Sequence, residues 1–274
     1  MKTDFIESDD SSANQQDTNI HTYTIKEYNI IEYKRANIFI IENIINDTMC
    51  NKIRAIIDRL KTTKLTFFKG NNVQCYITSN DLFNNYDDEE YYPFSTDTII
   101  YNKLLENTKS KNIYTNKLNG VLKSEIEDIN LYFNTIIKLI NPLLLSINPD
   151  IIVDGVSKYI YRKIYGNTRE HIDGLTDIRT PANLHVIHNN KKNESIMIRS
   201  ITFIFSLNDD YIGGELNFPY YDLSIKLKKG SVIIFPPYWT HKHSSNNLEN
   251  DTYRYTVTTW GYECLNHIDK SFII

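Results

Sequence analysis

Tyr159-Ile160-Tyr161-Arg162-Lys163-Ile164-Tyr165 is a run of alternating, β-branched and aromatic residues that reads as a strand. From it to Trp260 the chain continues as short segments of the same kind, divided by turn signals. Ile201-Thr202-Phe203-Ile204-Phe205-Ser206-Leu207 is a second strand, and Asn208-Asp209-Asp210 begins a turn after it. Gly213-Gly214 supplies residues able to adopt positive φ at a tight connection. Leu223 to Leu227 and Ser231-Val232-Ile233-Ile234-Phe235 are further strands, joined by Lys228-Lys229-Gly230. Pro236-Pro237 ends the latter, and Arg254-Tyr255-Thr256-Val257-Thr258-Thr259-Trp260 is the last strand.

Upstream the pattern is different. Met1 to Thr22 is rich in Asp, Ser, Asn and Gln and is expected to be a disordered tail, residues 1–22. Asn37 to Ile41 reads as a strand. Met49, Ile53, Ile56, Ile57 and Leu60 recur at helical spacing, so a helix is predicted over about 47–60, capped by Asn46 or Asp47. A second helix is expected over about 97–109. A third opens at Ser124-x-x-Glu127, lines one face with Ile129, Phe133, Ile136, Ile137 and Ile140, and is kinked or ended by Pro142. The polar stretch after Asp173, as far as Met197, is expected to be a loop in which His185 and His188 are exposed. Helices first and strands afterwards predict a mainly β fold with flanking helices. The expected form is a barrel or two-sheet sandwich, braced by N-terminal helices over about 46–146 and with a β core over about 151–263. Nothing suggests a second domain, so residues 23–274 are expected to form a single one.

The 274 residues include 41% apolar residues, enough for a core. A formal net charge of −4 gives no general attraction to nucleic acid or an anionic membrane. Cys50, Cys75 and Cys264 are odd in number and far apart, so no disulfide framework is implied and a reducing compartment fits. Cys50 reads as a small buried hydrophobe. The polar N-terminus has no apolar core of a secretory signal, and no run is long enough for a membrane span. An intracellular, cytoplasmic location is expected.

Chemistry concentrates in the strand series. If the chain is extended at His171-Ile172-Asp173, His171 and Asp173 point to the same side and could share a metal. The Ser231–Phe235 strand then delivers Trp239-Thr240-His241-Lys242-His243. Two His and one Asp form the facial-triad set of a non-haem iron site, and Asp in place of a third His suits a harder cation than zinc. His241 and His243 would project to the same side of an extended segment, so spacing leaves both open as the third ligand. Arg254 is the cation that an anionic co-substrate on the metal would need. It shares one face of its predicted strand with Thr256, Thr258 and Trp260, expected to point inward.

These residues resemble the iron- and 2-oxoglutarate-dependent dioxygenases, in particular the prolyl 4-hydroxylase-like branch. The resemblance covers roughly Ile151 to Tyr262. It rests on four blocks in order: His171-x-Asp173, Arg199 to Leu207 followed by Gly213-Gly214-Glu215, Lys229-Gly230-Ser231 to Phe235-Pro236, and Arg254-Tyr255 with Trp260. It implies a double-stranded β-helix, or jelly roll, with the metal between two sheets. It also implies Fe(II), 2-oxoglutarate as co-substrate and dioxygen, with ascorbate as an optional addition. His171, Asp173 and His241 would hold the metal. His241 is favoured over His243 because the family sets an aromatic residue two before its ligand, here Trp239. Arg254 would bind the far carboxylate of 2-oxoglutarate by a two-point contact. Thr202 matches a threonine beside the co-substrate, Tyr161 a tyrosine bonded to the same carboxylate, and Trp260 a tryptophan behind the site. The interval from His241 to Arg254 is longer than the family's, with Asn246 to Asp251 looking inserted.

The implied function is hydroxylation of an unactivated C–H, in a prolyl or other residue of a protein or peptide, with a small molecule as the other substrate class. Two alternatives stand beside it: a related metal-binding β-barrel with non-oxidative chemistry, and a non-catalytic binding module. Arg254 disfavours the first and the complete ligand set disfavours the second.

Overall fold

The computed structural model describes residues 20–59, 63–65, 74–78, 92–93, 123–157, 159–174, 184–189 and 193–265. The helix expected over 97–109 and most of the N-terminal tail lie outside these residues.

The described chain is mostly β, in antiparallel sheets. The large sheet has the strand order β1 (Ile20–Ile25), β2 (Tyr28–Tyr33), β3 (Ile38–Glu42), β15 (Val232–Phe235), β11 (Asn193–Ser206), β18 (Arg254–Leu265), β8 (Ile160–Tyr165), β5 (Gln74–Thr78), β4 (Thr63–Leu65). A smaller sheet has the order β14 (Leu223–Ile225), β13 (Leu216–Phe218), β16 (His243–Ser245), β9 (Thr168–His171). A third pairing joins β12 (Ile212–Gly213) to β17 (Leu248–Glu249). The sheets do not close on themselves into one barrel.

The centre of the large sheet is apolar on both faces because both are covered. On one face Phe39, Ile41, Phe203, Phe205, Val232, Ile234, Tyr255 and Val257 form a core with helix α1 (Asp47–Arg59) and helix α2 (Lys123–Ile147). On the other, Ile38, Ile40, Ile204, Ile233 and Phe235 meet Leu216, Phe218, Ile225 and Leu227 of the smaller sheet and its connection. The period of two along each strand therefore sorts side chains into a helix side and an inter-sheet side. Helix α1 buries Cys50, Ile53, Ile56 and Ile57, as its spacing predicts. Burial pushes the Cys50 thiol up to about 11, which fits a packing role. Among the described residues no helix is long and apolar enough to cross a membrane.

Three expectations change. Ile20 to Thr22, assigned to the tail, already pair with β2. Helix α2 runs through Pro142 to Ile147, so of the two outcomes expected there, a kink or an end, the end does not occur. The stretch between Asp173 and Met197 is not a continuous loop: β10 (Leu184–Asn189) pairs with β11 from Asn193 to Ile198. Leu184-His185-Val186-Ile187-His188 is a short mixed run set among polar neighbours, and pairing with β11 supplies the order that composition does not show.

Phe133 of α2 lies at the centre of the helix side, with its ring 4.9 Å from Phe205 and 5.3 Å from Tyr159. Phe133→Ala should lower unfolding free energy by about 3–5 kcal/mol, the range for emptying such a site. Leu131→Ala, on the exposed side of the same helix, should change it by less than about 1 kcal/mol. Urea denaturation of both variants checks this.

Candidate metal centre

His171 closes β9, and His243 opens β16 directly opposite it in the pairing. Their rings are 4.4 Å apart between centroids. Asp173 follows two residues after His171, and its carboxylate turns in between them. His171 Nε2 is 3.5 Å from Asp173 Oδ1 and His243 Nε2 is 3.8 Å from Asp173 Oδ2. The ligand atoms of all three residues lie within 4.8 Å of one another. Ligands at right angles about 2.1 Å from one ion stand about 3 Å apart, so a modest contraction would bring these three onto a metal.

Both imidazoles are set in the tautomer that a metal needs. His171 Nδ1 is 2.7 Å from the Arg169 carbonyl, and His243 Nδ1 is 3.0 Å from the His241 carbonyl. A carbonyl only accepts, so each Nδ1 carries a proton, and each Nε2 is the nitrogen turned towards the Asp173 carboxylate. Burial pushes the His243 imidazole down to about 4, keeping it neutral. Burial alone would raise the Asp173 carboxyl, but the His171 hydrogen bond and nearby positive charge hold it well below the usual carboxylate range. An ionised carboxylate between two neutral imidazoles is the ligating form of all three groups.

The Asp173 segment is held from several directions. Thr202 Oγ1 donates to Asp173 Oδ2 at 3.0 Å, and Arg199 Nη1 donates to the Asp173 carbonyl at 3.0 Å. The Arg199 guanidinium also lies over the Trp260 ring, 4.2 Å from its centroid. The Gly174 N–H donates to the Pro237 carbonyl at 2.7 Å. A Cβ at Gly174 would meet that carbonyl oxygen at 2.6 Å, so only glycine allows the approach. Sequence reasoning singled out Thr202 and Trp260 but assigned no role to Arg199 or Gly174.

His241, expected as the third ligand, is not at this cluster. Trp239–His241 forms a 3-10 turn. That turn rotates His241 away, with its ring 5.2 Å from Tyr221. Its Nε2 bonds the Ala36 carbonyl at 2.6 Å and its Nδ1 lies 2.9 Å from Thr240 Oγ1. Both nitrogens are thus engaged by the protein. The extended chain resumes two residues later, where strand pairing places His243 opposite His171.

Tyr161 is likewise misplaced by sequence reasoning. It lies on the helix side of β8, where its hydroxyl donates to Asn130 Oδ1 of α2 at 2.5 Å. The inter-sheet side of β8 carries Ile160, Arg162 and Ile164, because Ile160 and Ile164 pack with Tyr211 and Leu248. Arg254, Thr256, Thr258 and Trp260 take the inter-sheet side of β18, since Tyr255 and Val257 face the helices. Arg254 is buried and its Nη1 donates to the Gly214 carbonyl at 2.5 Å. Gly213 and Gly214 both have positive φ, 73° and 72°, which aims that carbonyl at the arginine's end of the strip. Thr256 Oγ1, Thr258 Oγ1 and Trp260 Nε1 are buried with no hydrogen-bond partner among the described residues. A polar strip thus runs between the sheets from Arg254 to the His-Asp-His cluster, which fits a metal and an elongated polar ligand.

Residues 156–262 match the family model of the 2OG-Fe(II) oxygenase superfamily. No curated protein matches the chain by sequence. Solved structures with a similar course include the viral collagen prolyl hydroxylase of Paramecium Bursaria Chlorella virus-1, at 14% identity and TM-score 0.41, over 82% of this chain and 95% of that one. A Pseudomonas putida prolyl-4-hydroxylase aligns at 11% identity and TM-score 0.43, over 82% and 92%. A prolyl hydroxylase from Trichoplax adhaerens, solved with a hypoxia inducible factor peptide fragment, aligns at 13% identity and TM-score 0.39, over 82% and 83%. The matched segment begins at β7 (Gly155–Val156), ends within β18 and contains all three residues of the cluster. Residues 156–262 are thus similar to the 2OG-Fe(II) oxygenase superfamily, a match that implies Fe(II), 2-oxoglutarate and dioxygen as cofactors and spans the three residues that could hold the iron.

Proposed function

We propose that this protein is a dioxygenase that hydroxylates an unactivated C–H, most plainly in a prolyl or other residue of a protein or peptide, on a double-stranded β-helix core. The observation that carries the reading is the convergence of His171 Nε2, His243 Nε2 and the Asp173 carboxylate. Bound iron, with 2-oxoglutarate and dioxygen, supplies the oxidation of a C–H bond to an alcohol, releasing succinate and carbon dioxide.

The remaining work belongs to the chain. His171, Asp173 and His243 bind the metal on one side and leave its other positions open. Thr202 holds the Asp173 carboxylate and Arg199 holds the Asp173 backbone carbonyl. Arg254, at the far end of the strip, takes the distal carboxylate of 2-oxoglutarate, its planar guanidinium giving a two-point contact. Ile204, Phe218 and Phe235 form the apolar wall between the sheets and keep water from the reacting groups. The four sequence blocks support the prolyl 4-hydroxylase-like branch. Exposed Tyr220, Tyr238 and Trp239 lie in and beside the 3-10 turns Pro219–Tyr221 and Trp239–His241, and offer aromatic faces to a peptide.

The anaerobically purified protein should bind about one Fe(II) per chain, as one triad implies. Ala at His171, Asp173 or His243 should abolish binding, whereas His241→Gln should leave the stoichiometry intact; iron retained by His243→Ala and lost from His241→Gln would return the ligand role to His241. Arg254→Ala should keep iron but weaken 2-oxoglutarate by roughly two orders of magnitude, because breaking a buried charge pair costs about 3–5 kcal/mol. An anaerobic titration of the visible charge-transfer band measures this. Incubation with proline-containing peptides should yield a 2-oxoglutarate-dependent gain of one oxygen by mass spectrometry. Succinate formation without any oxygenated peptide would remove the peptide assignment.

A further inference from the structure

A second arginine faces the same strip. Arg162 stands between Ile160 and Ile164 on β8, and those two isoleucines pack on the inter-sheet side. The alternation of the strand therefore aims Arg162 between the sheets. In the β8–β18 pairing its partner is Thr256, while Ile164 opposes Arg254 and Ile160 opposes Thr258. Arg162 is thus one step along the strip from Arg254, towards the metal cluster. Its Nε is buried and has no hydrogen-bond partner among the described residues. Among the described residues it forms no ion pair.

The two guanidinium groups act on different ends of the strip. The charge of Arg162 is felt at Asp173 and at His243. The charge of Arg254 is felt at Tyr211 and Glu215. A cation placed beside a divalent metal is repelled unless an anion lies between them. A 2-oxo acid places one carboxylate at the metal, so it brings such an anion to this end.

We infer that Arg162 is a second carboxylate-binding residue, pairing with the metal-end carboxylate of the 2-oxo acid while Arg254 pairs with the distal one. This rests on the co-substrate reading given above. The orphaned Nε and the neighbouring Thr256 and Thr258 hydroxyls supply the donors such a carboxylate needs, and the pair is charge-assisted. The two arginines together select a five-carbon dicarboxylate by reading both of its ends.

The test is an anaerobic titration of the Fe(II)-loaded full chain with two ligands, followed by the charge-transfer band and by calorimetry. One ligand is 2-oxoglutarate; the other is 2-oxopentanoate, which has the 2-oxo acid end but no distal carboxylate. Arg162→Gln should weaken both ligands by a similar factor of about tenfold or more, the loss of one charge-assisted contact. Arg254→Gln should weaken 2-oxoglutarate alone. Arg162→Lys, which keeps the charge, should recover part of the affinity for both. Iron content and thermal unfolding midpoint, measured on each variant, identify any that has lost its fold, and the lysine variant then carries the comparison. Wild-type affinity for both ligands in Arg162→Gln, with 2-oxoglutarate weakened in Arg254→Gln, would overturn the role of Arg162 and leave the dioxygenase reading standing. Unchanged 2-oxoglutarate affinity in both variants would overturn the co-substrate reading itself.

Discussion

The antiparallel pairing of β16 with β9 sets His243 opposite His171, and the candidate centre depends on that register. Two imidazoles on neighbouring strands start at cross-strand distance, about 5 Å between Cβ atoms. No long side chain has to be frozen to bring them together. A one-residue slip would turn His243 to the other face of its sheet. The pairing is held on both sides of a register shift between His243 and Ser245. Thr168 donates both its N–H and its hydroxyl to Ser245 Oγ, at 3.0 and 2.8 Å. His243 also packs edge-on against Phe235 at 4.9 Å and beside Phe218 at 5.6 Å. Those aromatic contacts belong to the inter-sheet core, so the position of the ligand is set by the packing that holds the sheets together.

Electrostatics then choose the protonation states. Taking a carboxylate out of water is costly unless charge or hydrogen bonds replace the solvent. Asp173 has Thr202, His171 and the surrounding positive charge as replacements, and stays ionised. His243, deeper still, is kept neutral by burial. A divalent cation bound here would take the carboxylate and the two Nε2 atoms as its ligands. The hydroxyls of Thr256 and Thr258 continue the same theme along β18, where polar atoms are buried without partners among the described residues. Such atoms are rare in a finished core and collect where a ligand completes the hydrogen bonding.

On the helix side of the large sheet, among the described residues, the buried tyrosine hydroxyls are paired within the protein. Tyr159 donates to Asn134 at 2.6 Å and Tyr161 to Asn130 at 2.5 Å, both across to α2. On the same side Tyr255 and Lys163 both reach Asp58 of α1, at 2.8 and 2.7 Å. The sheet thus separates a satisfied structural face from an unsatisfied inner one, and strand alternation assigns each residue to one or the other.

Sequence alone determined much of this. Apolar runs with a period of two marked β8, β11, β15 and β18, the 3.6 period marked α1 and α2, and two residues of separation put His171 and Asp173 on one side. These are local consequences of backbone geometry. The same alternation placed Arg254, Thr256, Thr258 and Trp260 on a common face without any knowledge of partners. Three matters needed the tertiary structure. His241 and His243 are equivalent in an extended chain, and only the 3-10 turn over Trp239–His241 separates them. That turn gives His241 to the Ala36 carbonyl, far away in sequence, and shortens the interval to Arg254 by two residues, much as an insertion would otherwise be invoked to explain. Tyr161 and Arg162 are neighbours that differ only in face, and it is the helix packed against one side of β8 that makes one structural and turns the other towards the site. Arg199 and Gly174 act through contacts with Asp173 and Pro237 that no local pattern encodes. Local periodicity fixes which residues share a face; which face meets the metal is decided by what the rest of the chain packs against it.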